Sequence, residues 1–290
     1  MKIAFLGLGR MGIVIARHLL QHGEDLTVWN RTPSRADPLV AEGARMASTV
    51  STAITAADVV FTMLLDDASL KQILDEMVES LPKGAIHVSL STLSVPFSRL
   101  LTEMHAAHGQ RFVAAPVFGR PHIAEQARLW VAVSGQAEAI EKVRPLLQHF
   151  SRGITVISRN PWSAHALKLG GNFLITAMIA SLSESFVYAE ALGIDPEVFL
   201  STVNSALFQS PFYEMYGGIM LHPPATPGAT MAVGEKDIRL FREAAQSKHL
   251  STPLADLFFA SFHRAFEAGM KDADWAAGYY RLEKGFGAHK

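Results

Sequence analysis

Lys2-Ile3-Ala4-Phe5-Leu6-Gly7-Leu8-Gly9-Arg10-Met11-Gly12 stands at the start of the chain, and its reading decides the fold. A short apolar run leads into Gly7, Gly9 and Gly12, spaced G-x-G-x-x-G. Met11, Val14, Ile15 and Leu19 then recur at helical spacing until Gly23. Such a strand, turn and helix form a cradle for a dinucleotide. The first glycine allows the tight turn and the second lets a pyrophosphate approach the backbone. The third lets helix and strand pack closely, with the helix N-terminus facing the phosphates. Three spaced glycines also occur as plain turn glycines. Here the flanking strand and helix, and a second strand over residues 26–29, favour the nucleotide.

Working outward, strand-like runs recur at 57–65, 86–90, 112–117, 130–133 and 154–157, with helical segments at 70–78, 97–108 and 137–150 between several of them. Val59 to Leu64 shows no polar alternation, as expected for a strand covered on both faces. This predicts a mostly parallel sheet with helices on both sides. Beyond about residue 160 only helix-compatible segments follow. Asn160-Pro161 starts a long helix that runs to about Leu192 before Gly193, Asp195-Pro196 starts the next, and Gly234 precedes a later one. The expected organisation is α/β: a doubly wound dinucleotide-binding domain over 1–160 and an all-α domain over 161–290, joined by the long helix.

The composition bounds the partners. Among 290 residues, 49% are hydrophobic and 18% charged, with 26 Lys+Arg against 27 Asp+Glu and no like-charge block, so neither nucleic acid nor a membrane surface is indicated as partner. The absence of cysteine removes disulfides, thiolate metal sites and cysteine nucleophiles and suits a reducing, cytoplasmic setting. The first strand begins at Lys2, which argues against a signal peptide. The uncharged stretch 169–183 holds Asn172, Thr176, Ser181 and Ser183 and reads as too short and too polar for a membrane span. The 12 histidines show no H-E-x-x-H pairing, so no metal is expected.

The end of the second strand reports on the dinucleotide. A carboxylate there would take the ribose hydroxyls of NAD(H), but the chain has Asn30-Arg31-Thr32. The Arg31 guanidinium can pair with a 2′-phosphate, so NADP(H) is expected over NAD(H), unless Arg31 is simply a surface arginine. Leu64 and Leu65, closing the 57–65 strand, are expected to line the same cradle. Farther on, Lys168 and Asn172 lie four apart on the long helix and share a face. A lone ammonium on so apolar a helix is costly unless exposed, paired or functional. A lysine in a partly desolvated cleft can serve as a proton donor near neutral pH. From spacing alone, a solvent-facing lysine is the simpler reading.

Five motifs occur in one order: the glycine loop through Met11-Gly12, Ser91-Thr92, Ala115-Pro116-Val117, Lys168-x-x-x-Asn172, and Lys236-Asp237 opening a late helix. This order resembles the β-hydroxyacid dehydrogenase family, with its 3-hydroxyisobutyrate dehydrogenases and glyoxylate/succinic semialdehyde reductases, and extends to the related imine reductases. The resemblance covers nearly the whole chain. It implies hydride transfer between a nicotinamide and a small carbonyl or hydroxy-acid substrate. Lys168 would be the general acid/base, Asn172 would hold the substrate, Thr92 and Lys236 would contact the cofactor, and Asp237 would lie beside the pocket. Otherwise Thr92 is a turn hydroxyl and Asp237 a carboxylate at a helix N-terminus.

One departure matters. Where the family has Ser-Gly-Gly to receive a substrate carboxylate, this chain has Phe118, Gly119 and Arg120. Arg120 could restore anion binding through its planar fork or point to solvent. The usual small hydroxy acid is thereby in doubt, and an imine reductase remains the rival reading. Lys168 argues against it, because those relatives commonly carry Asp or Tyr there. A non-catalytic NADP(H)-binding module is the reading from another class. The uncharged helix face suggests burial against a second copy, and the resemblance implies a homodimer through the 161–192 helix and the C-terminal domain.

Overall fold

β1 (Lys2–Leu6) turns Ile3 and Phe5 to one side of the sheet and Ala4 and Leu6 to the other, and all four are buried. That double burial explains the unbroken apolar run. The computed structural model describes residues 1–287. After β1 come α1 (Gly12–Gln21), β2 (Asp25–Trp29), α2 (Asp37–Ala41), β3 (Arg45–Met46), α3 (Val50–Ile54), β4 (Val59–Thr62), α4 (Asp67–Ser80), β5 (Ile86–Ser89) and α5 (Val95–Ala107). β6 (Arg111–Ala114), β7 (Val117–Phe118), α6 (Pro121–Glu125), β8 (Leu129–Ser134), α7 (Ala137–Gln148) and β9 (Ser151–Ser158) complete the sheet region.

The sheet order β3-β2-β1-β4-β5-β6 is parallel throughout. It reverses direction between β1 and β4, which is where a doubly wound sheet opens a ligand crevice. β6 and β7 pair antiparallel with β8, and β9 runs parallel to β8. Leu19 of α1 and Val143 and Leu146 of α7 pack with Phe5 and Phe61 on one face. Leu70, Leu74 and Met77 of α4 and Phe97 and Leu101 of α5 pack with Leu6 and Val60 on the other.

The expected strand 112–117 is split. Pro116 has no N–H for a ladder, and its carbonyl accepts the Ala132 N–H at 3.1 Å, so the chain bends from β6 into β7. The short α2, β3, α3 and α6 have too few residues to show a period. α3 does carry a local mark, with the Thr49 side chain accepting from the Thr52 N–H as a capping box.

α8 (Trp162–Ala191) is the long helix, 30 residues, and Gly193 follows it at φ +77°. By compactness the chain divides into two units, Met1–Lys168 and Leu169–Lys290. Taken whole, α8 is long and apolar enough by length and composition to cross a membrane. The expectation of "too short and too polar" therefore applied only to its uncharged middle. A core helix of a soluble protein passes the same criterion. On α8, Ala164, Lys168, Leu169, Asn172, Thr176, Ile179, Ser183 and Phe186 are buried at helical spacing, while Leu167, Leu174, Ser181 and Tyr188, seven apart, are exposed.

The second unit continues with α9 (Pro196–Val203), a π-helical turn Asn204–Phe208, α10 (Pro211–Leu221), α11 (Met231–Gln246), α12 (Pro253–Glu267) and α13 (Trp275–Gly287). Its core joins Ile179, Leu182 and Phe186 of α8 to Met220, Ile238, Phe258, Phe262 and Tyr279. Among the described residues no strand follows β9, only one bridge between Thr230 and Asp274. Gly234 does not precede α11 but lies within it, and Lys236 and Asp237 lie past its first turn rather than opening it. Gly234 keeps that place because the Trp275 and Phe262 rings fill the space where a Cβ would be, within 2.8 Å.

Candidate active site

The glycine loop shows which glycines the fold itself requires. At Gly7 (φ +103°) a Cβ would meet the Met63 carbonyl oxygen at 2.4 Å, and at Gly12 it would meet the Gly7 carbonyl oxygen at 2.0 Å. Around Gly9 nothing lies within 4 Å, so packing inside the chain does not account for that glycine. An open face there is what close approach of a phosphate needs. Met11, the N-cap of α1, makes no side-chain cap hydrogen bond, so the first-turn amides are not capped by the residue before them. The loop is braced from behind. The Leu8 N–H donates to Asn30 Oδ1 at 2.9 Å, and Asn30 Nδ2 donates to the Thr32 carbonyl at 2.9 Å. Asn30 thus holds the loop, while Arg10 within it and Arg31 after β2 are exposed.

Leu64 and Leu65 follow β4, at the reversal point beside β1, and Leu65 is 62% exposed. The Leu64 N–H donates to Ser91 Oγ at 2.8 Å, and the Ser94 N–H donates to Asp67 Oδ1 at 3.0 Å. These bonds tie the loops after β4 and β5 together and place Thr92, half-buried, between the tied residues. Ser91 and Asp67 escaped sequence reasoning as supports. The one local signal was Asp66, an N-cap whose carboxylate accepts the Ser69 N–H at 2.8 Å.

Phe118 ends β7 opposite Trp130. Gly119 follows at φ +140°, where a Cβ would strike Leu129 Cδ2 at 2.5 Å, so this turn needs its glycine. Arg120 is only 6% exposed, which overturns the alternative that it points to solvent. Lys168 is likewise buried, at 9%, against the simpler expectation of a solvent-facing lysine. Its Nζ lies 4.1 Å from the centre of the Phe118 ring.

Asn172 follows Lys168 by one helical turn. Within the second unit its Nδ2 donates to Asp237 Oδ2. The other carboxylate oxygen of Asp237 lies 2.8 Å from Lys236 Nζ, both side chains being buried. Asp237 thus accepts a hydrogen bond from an amide and forms an ion pair with an ammonium, and the reading of it as a helix N-terminal carboxylate falls with its position in α11. Among the described residues no group of three or more His, Cys, Asp or Glu is placed to hold a metal.

An open-faced glycine cradle at the reversal of a doubly wound sheet fits a dinucleotide-binding protein, and comparison with known proteins shows the class to be the NAD(P)-dependent oxidoreductases. Residues 2–158 match the NAD-binding domain of 6-phosphogluconate dehydrogenase, and 163–282 match the NAD-binding domain of NADP-dependent 3-hydroxyisobutyrate dehydrogenase. The chain is 44% identical to the uncharacterized oxidoreductase YfjR of Bacillus subtilis over 96% of its length and 98% of the relative's. It is 31% identical to glyoxylate/succinic semialdehyde reductase 2 of Arabidopsis thaliana, over 95% of this chain and 78% of that one. The fold is that of Mycobacterium tuberculosis 3-hydroxyisobutyrate dehydrogenase, solved with L-serine, at a TM-score of 0.86 and 24% identity over 97% and 98% of the two chains. The chain belongs to the β-hydroxyacid dehydrogenase family.

Proposed function

We propose that the protein is an NADP(H)-dependent reductase or dehydrogenase of small carbonyl or hydroxy-acid substrates, with Lys168 as general acid/base. The observation that carries this reading is a buried ammonium one helical turn before an asparagine that is itself held by a buried carboxylate. A bound nicotinamide supplies the hydride donor or acceptor. The chain supplies position and protons. In the reductive direction Lys168 Nζ gives a proton to the oxygen of the carbonyl as it becomes an alkoxide, and in the oxidative direction it takes one back. Asn172 has one amide N–H fixed on Asp237, which orients the other for the substrate oxygen. Lys236, 2.8 Å from Oδ1, holds the Asp237 carboxylate in place. The open face at Gly9 and the amides beginning α1 take the pyrophosphate, and Arg31 takes a 2′-phosphate.

Lys168→Ala is expected to lower turnover by about two to four orders of magnitude with NADPH affinity nearly intact. Unchanged turnover would remove Lys168 from the chemistry. A panel of short aldehyde acids, keto acids and cyclic imines, followed by NADPH oxidation with an NADH control, assigns the substrate class. Phe118 favours one second reading, reduction of a C=N bond, because its apolar ring beside Lys168 offers a substrate carboxylate no hydrogen bond. Preferential turnover of the cyclic imines would select it.

We further propose a homodimer built on the exposed face of α8 and the helical unit, in the cytoplasm. Leu174 (65% exposed) and Tyr188 (63%) on that face are large apolar side chains that association would cover. A monomeric mass at micromolar concentration would count against it.

A further inference from the structure

The structure pairs Phe118 with the residue that the proposed chemistry depends on. The Lys168 Nζ stands 4.1 Å from the ring centre, well inside the range over which the negative face of an aromatic ring attracts a cation. Both partners sit on rigid supports. Phe118 is held by the β7–β8 pairing and by the sterically enforced glycine turn after it. Lys168 projects from α8 in a turn whose His165 Nδ1 is 2.9 Å from Ser98 Oγ on α5. A lysine carries four flexible carbons to its charge and loses much freedom when it is held in one geometry. A general acid must be held, because proton transfer tolerates little misplacement. The ring supplies that hold without offering a carboxylate, which would bind the ammonium by taking a hydrogen bond from it.

We propose that Phe118 is a positioning residue, whose ring face seats the Lys168 ammonium for proton transfer. The proposal rests on the reading of Lys168 as general acid, and the two can fail separately. The test is a double-mutant cycle on the full-length protein, with turnover measured on the best substrate of the panel. Phe118→Leu is expected to lower kcat about tenfold, leaving substrate KM and NADPH affinity near wild type. Phe118→Tyr, which keeps an aromatic face, is expected to stay within about twofold. In a Lys168→Ala background, Phe118→Leu is expected to add nothing, since the group it acts through is gone. Trifluorophenylalanine introduced at position 118 keeps the shape of the ring but weakens its negative face. It is expected to lose turnover as leucine does while unfolding at the wild-type temperature, which covers the case in which Phe118→Leu folds poorly. Equal losses from Phe118→Leu in both backgrounds, a change in KM alone, or full activity of the fluorinated ring would each overturn the proposal. Full activity of Lys168→Ala would instead overturn the general-acid reading beneath it.

Discussion

A chain of buried hydrogen bonds running from Gln110 to Thr62 makes the stability of the first unit depend on pH, and its proton order follows from the structure. Gln110 Nε2 donates to the Val78 and Leu81 carbonyls at 2.8 and 2.7 Å, so its Oε1 must accept. His105 Nδ1 then donates to Gln110 at 2.8 Å, and its Nε2 accepts from His87 Nδ1 at 2.8 Å. His87 Nε2 in turn accepts from the Thr62 hydroxyl at 2.9 Å. Both rings are neutral, and each ring nitrogen already has its assigned role. A further proton would set donor against donor. Burial, then the nearby His105 and His165, hold the His87 pKa well below its usual value of 6.5. Burial also lowers His105 to about 4, against the opposing effect of its Gln110 hydrogen bond.

Because the folded pKa values lie below the unfolded one, their contribution to stability is present above about pH 6.5 and is lost as pH falls toward the folded values. For His105, the unfolded chain takes up about three quarters of a proton between pH 7 and pH 5 and the native chain about a tenth, a loss of about 2 kcal/mol. His87 adds to it in the same direction. Urea unfolding at the two pH values checks this in wild type and in His105→Asn, which keeps a polar side chain but does not titrate. The variant is expected to start less stable, and to lose about 2 kcal/mol less than wild type between pH 7 and pH 5. An equal loss in both proteins would refute the assignment of the pH dependence to the buried ring.

The two glycines of the cradle should separate fold from function. Gly12→Ala is expected to unfold at a markedly lower temperature, since its Cβ would lie 2.0 Å from the Gly7 carbonyl oxygen. Gly9→Ala is expected to keep its stability to within about 0.5 kcal/mol while weakening dinucleotide binding in a fluorescence titration. Wild-type affinity in Gly9→Ala would leave that glycine unexplained. Arg31→Glu replaces an attraction with a repulsion and is expected to shift the NADPH-to-NADH preference by about tenfold or more. An unchanged ratio of kcat/KM values would take Arg31 out of the selection. Asp237→Ala removes the carboxylate beside a buried ammonium and is expected to cost about 3 kcal/mol or more by thermal unfolding, with Asp237→Asn milder because it still offers Asn172 an acceptor. Wild-type stability of Asp237→Ala would deny that the Lys236 charge needs this carboxylate, and equal stability of the two variants would deny that the Asn172 bond contributes.

Several features were legible from residues near one another in the chain. The apolar runs of β1 and β4, the G-x-G-x-x-G spacing and the helical recurrence after it each act over one strand or turn, so a doubly wound sheet followed by a helical region could be read directly. Boundaries were less legible where a longer-range packing reason intervenes. Gly234, which looked like a helix start, lies inside α11 because two aromatic rings occupy the space beside it.

The candidate site divides the same way. Lys168 and Asn172 share a helix face by spacing alone, so the sequence was enough to pair them. Whether Lys168 faced water was not legible. Its burial, its place over the Phe118 ring, and the bond from Asn172 to Asp237, 65 residues away, were decided by the tertiary structure. Periodicity is a property of neighbours on one element. The environment of a charge depends on which distant elements pack around it, and that is settled only when the strands and helices come together.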